Sequence, residues 1–156
     1  MIGVIVAVAL LTSGPKGEAG FPSEQYEGIE VMIPVNIEGA AGVGSLHFEL
    51  VYDWSVLRAL EVEYGMVVGD AMFEYNVDVP GRVMVGIIDS SGISGDGSVA
   101  VVAFQLRGEA DAGISLELEN IVAYDAATMT EIPTTASAGS FTTENNYTAP
   151  TLLLTP

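Results

Sequence analysis

From Gly28 onward, apolar and polar residues alternate one by one, and the i, i+3, i+4 spacing of an amphipathic helix is scarce. In Ser45-Leu-His-Phe-Glu-Leu-Val-Tyr52, Leu46, Phe48, Leu50 and Tyr52 fall on one face, while Ser45, His47 and Glu49 fall on the other. Successive strand side chains point to opposite faces, so one face is core and the other meets water. The same alternation recurs in Val99-Ala-Val-Val-Ala-Phe-Gln-Leu106, and in Ile114, Leu116 and Leu118 set against Ser115, Glu117 and Glu119. Short strands separated by Gly, Pro, Asn and Asp turns predict an all-β antiparallel sandwich. Only Asp53-Trp-Ser-Val-Leu-Arg58 reads as a turn of helix, with Asp53 or Ser55 able to cap it. Trp54 there is read first as a packing residue.

The ends break the pattern. Ile2 to Leu11 is a continuous apolar run, too short for a membrane-spanning helix of about 20 residues. It also lacks the basic residues that precede a secretory leader, so a buried first strand is the expectation and a residual leader the alternative. Gly14 to Pro22 keeps a Gly-X-Y period for three triplets, far too few for collagen, and reads as a Gly/Pro loop. Residues 143–156, rich in Thr, Asn and Pro, read as a C-terminal tail or linker after a single domain over 1–142. Leu152 to Leu154 do not suit a free linker, and are expected to dock on an exposed edge or to pair with a second molecule.

Composition narrows the function classes. A chain of 156 residues with 49% hydrophobic and 16% charged residues has enough apolar material for one core. The absence of Cys removes disulfides and thiolate metal sites. Four Lys plus Arg against 21 Asp plus Glu give a net charge of −17, which repels phosphate backbones and anionic lipid, so neither nucleic acid nor a membrane is an expected partner. A partner with a basic or metal-loaded face would be drawn in.

Catalytic patterns are missing. His47 is the single His, and no Gly-x-Ser-x-Gly elbow stands near it. With so many carboxylates, some pair always falls within glycosidase spacing, so that signal is empty. The stretch Asp89-Ser-Ser-Gly-Ile-Ser-Gly-Asp-Gly97 offers the oxygen donors that Ca²⁺ prefers, yet lacks EF-hand spacing. A turn joining two strands explains it without a metal.

Five segments in order resemble the cohesin family: Val31-Met-Ile-Pro-Val-Asn-Ile-Glu38; Gly42 to Asp53 with Val56 and Leu57; Pro80 to Arg107; Leu118-Glu-Asn-Ile-Val-Ala-Tyr-Asp125; and Gly139-Ser-Phe-Thr142. The resemblance spans roughly residues 27–142. It implies a nine-stranded jelly-roll sandwich of extracellular or cell-surface location, non-catalytic, with one flat face that receives the helices of a dockerin-bearing protein. It further implies no cofactor on this chain, the calcium belonging to the dockerin. Matched position by position, the partner-binding residues fall at Ser45, His47 and Glu49, at Asp89, Ser90, Ser91 and Gly92, and at Met129 and Glu131. Ser45 and His47 stand where well-known cellulosomal members carry Asn and Asp, which leaves the identity of the dockerin open. Two other readings suit such a sandwich: a carbohydrate-binding module, for which no aromatic platform is visible in the sequence, and a structural domain of a surface or adhesion protein.

Overall fold

The structure, a computed structural model, describes residues 28–111, 113–144 and 146–155. The expected first strand over 2–11 and the Gly/Pro loop over 14–22 lie outside the described residues. Nine strands follow in order: β1 (Glu30–Val51), β2 (Leu57–Tyr64), β3 (Met72–Asn76), β4 (Arg82–Leu106), β5 (Ile114–Asp125), β6 (Thr134–Ser137), β7 (Gly139–Phe141), β8 (Tyr147–Thr148) and β9 (Thr151–Leu154).

β1 and β4 are long because each serves both layers of a sandwich. The second part of β1 pairs with the first part of β4 (Ser45↔Ile88 to Val51↔Arg82), and β3 and β5 flank that pair. The first part of β1 pairs with the second part of β4 (Glu30↔Gln105 to Val35↔Ala100), flanked by β2 and β9. Between them the register shifts repeatedly, from Val35 to Ser45 on β1, as bulges turn the chain from one layer into the other. The two layers face each other across one core, in which Ile33, Leu46, Phe48, Ile87 and Phe104 are almost completely buried. Fully burying such a side chain is worth about 1.5–3 kcal/mol.

The crossing is built from glycine and from small oxygen-bearing side chains. Gly39 and Gly42 on β1, and Gly92, Gly95 and Gly97 on β4, all have positive φ. At Gly92 a side chain is excluded twice, by φ +85° and because a Cβ would stand 2.8 Å from the Gly42 Cα. The Gly42 N–H donates to Ser94 Oγ at 2.9 Å and the Gly39 N–H donates to Asp96 Oδ1 at 2.8 Å. The segment 89–97, expected as a loop between two strands, is thus the middle of one 25-residue strand. Bulge and turn call for the same residue types, so composition could not separate them.

Two further expectations change. Residues 54–56 form a turn rather than a helix: Asp53 accepts from the Ser55 N–H and hydroxyl, and its carbonyl from the N–H groups of Val56 and Leu57. Trp54 is 44% exposed, with the Arg107 guanidinium 3.8 Å from its ring centre. The chain also does not end its sandwich at Thr142, for the segment read as a tail or linker from 143 carries β8 and β9. β9 lies parallel to β1 (Asn36↔Thr151 to Glu38↔Leu153) and antiparallel to β6, with Leu152 and Leu154 buried. The apolar residues expected to dock on an edge do so within their own chain, and this is a parallel pair in an otherwise antiparallel set.

Candidate functional site

The layer β3–β4–β1–β5 presents an outer face four strands wide. Register sets its side chains in rows. Met72, Ile88, Ser45 and Tyr124 form the first; Glu74, Gly86, His47 and Val122 the second; Asn76, Met84, Glu49 and Glu119 the third. Each residue points outward because its neighbours along the strand, such as Leu46, Phe48, Val85, Ile87 and Ala123, fill the core.

The rows differ in chemistry. The first is largely apolar and open to solvent, Met72 at 63% and Ile88 at 57% exposure. The third is charged. The Arg82 guanidinium donates to the Glu49 carboxylate and also lies 3.3 Å from the Glu119 carboxylate. The Asn120 side chain, more than Arg82, holds the Glu49 carboxyl below its ordinary range against the opposing effect of burial. Asn120 reaches it from a left-handed conformation (φ +50°), at the point where the β1–β5 register slips between His47 and Glu49. Glu49 in turn pushes the Arg82 guanidinium up. In the second row His47 Nε2 stands 3.9 Å from Glu49 Oε1, and Gly86, having no side chain, leaves a notch between Glu74 and His47. A cavity of about 300 Å³ opens beside it, lined by His47, Met72, Glu74, Ile88 and Tyr124.

The structure gathers the expected residues unevenly. Ser45, His47 and Glu49 lie at the centre of the face. Asp89, Ser90, Ser91 and Gly92 continue β4 past Ile88, just beyond the first row. Asp89 Oδ1 accepts from the Ser91 N–H at 2.8 Å and from its hydroxyl at 2.6 Å, which holds the Asp89 carboxyl below its ordinary range. Glu131 bridges to Tyr124 and so extends the same row, and Met129 stands exposed in the turn that joins them, at φ +59°. Sequence reasoning missed Met72, Glu74, Gly86, Ile88, Val122 and Tyr124. The signal for the last four was available, since they occupy the alternate positions of strands whose other positions are core. No group of three or more His, Asp or Glu able to hold a metal occurs among the described residues.

Asp125 holds the turn beside Tyr124 with the same kind of carboxylate bonds by which Asp89 holds the bulged stretch of β4 beside Ile88. Its carboxylate accepts from the Thr128 N–H and hydroxyl and from the Ala127 N–H, and these bonds keep its carboxyl below the ordinary 3.8. A carboxyl depressed in the native state contributes stability that is complete above its unfolded value and fades as pH falls through the native one. Thermal midpoints followed from about pH 5 downward are therefore expected to fall more steeply for the parent than for Asp125→Asn, which keeps an acceptor oxygen but does not titrate. Equal slopes would assign the acid sensitivity to other carboxylates.

The family model described as the cohesin domain matches residues 21–143. Among solved structures, the chain is similar to a non-cellulosomal cohesin from the hyperthermophilic archaeon Archaeoglobus fulgidus, at 29% identity over 80% of this chain and 79% of that one, with a TM-score of 0.57. It is similar to CaCohA2 from Clostridium acetobutylicum at 25% identity, over 74% and 81% of the two chains, with a TM-score of 0.63. A type I cohesin–dockerin complex from Clostridium thermocellum, Coh-OlpA-Doc918, shares the fold at 16% identity, over 80% and 87%, with a TM-score of 0.60. No curated protein matches the sequence.

Proposed function

The chain belongs to the cohesin family, and from that premise we propose that it is a non-catalytic, extracellular interaction module which receives a dockerin-bearing protein on the outer face of β3–β4–β1–β5. The observation that carries this reading is the face itself: four strands wide, with an apolar row beside a carboxylate-rich one and a notch at Gly86 between them. A helix laid across the strands sets an apolar stripe on Met72, Ile88 and Tyr124, and basic side chains toward Glu74, Glu49 and Glu119. Binding energy in such interfaces concentrates in a few central contacts inside a polar rim. Ser45, His47 and Glu49 are the central contacts in this reading, with Asp89, Ser90, Ser91 and Gly92 and, on the same side of the face, Met129 and Glu131 as the rim beyond the first row. Calcium belongs to the dockerin. Because one relative is described as non-cellulosomal, the proposal commits to docking and not to a cellulolytic assembly.

Gly86 provides the test. A Cβ there meets no atom within 4 Å and the backbone is not left-handed, so Gly86→Gln fills the notch without disturbing the fold. Against a panel of calcium-loaded dockerins titrated by calorimetry, Gly86→Gln is expected to melt with the parent and to bind at least about tenfold more weakly, a loss of about 1.4 kcal/mol. His47→Ala is expected to cost about 1 kcal/mol or more. If both variants bind like the parent, docking occurs elsewhere on the module.

A further inference from the structure

The second layer carries a pocket that the docking face does not use. It has a volume of about 650 Å³ and lies where β2, the end of β4 and the segment leading into β4 meet, with Trp54, Arg58, Gln105, Arg107 and Asp78 in its wall. Ligand pockets generally run to a few hundred cubic ångströms.

Its charge is out of keeping with the rest of the molecule. The chain has four Lys and Arg against 21 Asp and Glu. Three of the four cations are among the described residues, and Arg82 is taken up by Glu49 and Glu119. Arg58 and Arg107 both line this pocket, and neither pairs with a carboxylate among the described residues. On so acidic a surface a carboxylate is the commonest available partner for an arginine, so two arginines without one among the described residues stand out. Among the described residues Asp78 is the one carboxylate in the wall, so these side chains give the pocket a net single positive charge within a field of −17.

Arg107 is also held in place. Its Nη1 donates to the Trp54 carbonyl at 3.1 Å while its guanidinium lies over the indole ring, so its remaining donors are fixed in direction. Arg58 is exposed and pairs across the strands with Gln105, whose amide adds donor and acceptor to the pocket lining.

We propose that this pocket binds an acidic sugar, a hexuronate unit of a polysaccharide. Its carboxylate would be received by Arg58 and Arg107, whose planar donor forks suit it. Its ring would lie against the exposed part of Trp54, and its hydroxyls would bond to Gln105. The set of groups favours a sugar acid over a simple anion, because an indole face beside the cations suits a sugar ring and offers nothing to an inorganic ion.

Trp54 is the single tryptophan of the chain, so its emission reports on this pocket alone. The whole chain is titrated with trigalacturonic acid and with a neutral galactose trisaccharide, following fluorescence at low and raised salt. The acid is expected to give a saturable change that weakens as salt screens the arginines, and to bind at least roughly tenfold more tightly than the neutral sugar. Arg58→Gln is expected to melt with the parent and to lose roughly tenfold in affinity. No saturable change up to several millimolar, equal binding of the neutral sugar, or an Arg58→Gln chain that binds like the parent would each overturn the proposal.

Discussion

Truncation after Ala149 is expected to leave a chain that is unfolded, or nearly so, at ambient temperature. The lost segment holds Leu152 and Leu154, at 0% and 7% exposure, and it is the strand that joins β1 to β6. Removing it strips the edge of β1 along Asn36 to Glu38 and releases the Asn36 N–H, which donates to the Pro150 carbonyl at 3.0 Å. A single Leu152→Ala change, leaving the strand in place, is expected to cost about 2–5 kcal/mol for the lost burial and the cavity behind it. Against a total stability of about 5–15 kcal/mol, losing both leucines and the strand leaves little margin. Thermal melts of the parent, Leu152→Ala and the truncated chain, followed by circular dichroism, measure the series. A truncated chain that melts with the parent would make β9 an ornament of the sandwich instead of a structural strand.

Gly65→Ala is expected to destabilise by at least about 3 kcal/mol, at the upper end of overpacking effects. A Cβ at Gly65 would stand 2.0 Å from the Ser98 carbonyl oxygen and 2.6 Å from the Val99 carbonyl carbon, both backbone atoms of β4. Neither strand can step aside cheaply. The Gly65 N–H donates to Val99 O at 2.9 Å and the Val67 N–H to Ser98 O at 3.1 Å. The Met66 N–H donates at 3.0 Å to the hydroxyl of Ser98, a polar residue 3% exposed, so a shift would also leave a buried hydroxyl unsatisfied. Gly69→Ala, where a Cβ meets nothing within 4 Å, is the control and should unfold in urea with the parent. Coincident urea midpoints for Gly65→Ala and Gly69→Ala would show that β2 and β4 have room to separate.

The face was legible in the sequence where strands have one wet side and one dry side, because period two then writes orientation into the residue order. Ser45, His47 and Glu49 could be set outward from Leu46, Phe48 and Leu50 alone. β3 was harder to read: it is an edge strand of five residues, none fully buried, so Met72 and Glu74 carry no contrast. β9 was legible only in part, since Leu152 to Leu154 announced a docking segment without naming what it docks on. Its two inward leucines gain their meaning from β1 at the far end of the chain, and no local pattern encodes a pairing partner. The Trp54–Arg107 stack is likewise a meeting of distant segments.

The shared β1–β4 ribbon also governs how the module reaches its native state. Neither layer can be completed until these two strands have found each other along their length, with β2, β3 and the intervening turns held in the loop between them. Closing that loop costs chain entropy before any flanking strand can repay it. Folding is therefore expected to be slow, in the millisecond-to-second range typical of sandwiches dominated by distant pairings. Substitutions along the ribbon should slow refolding, whereas those in β9 should mainly hasten unfolding.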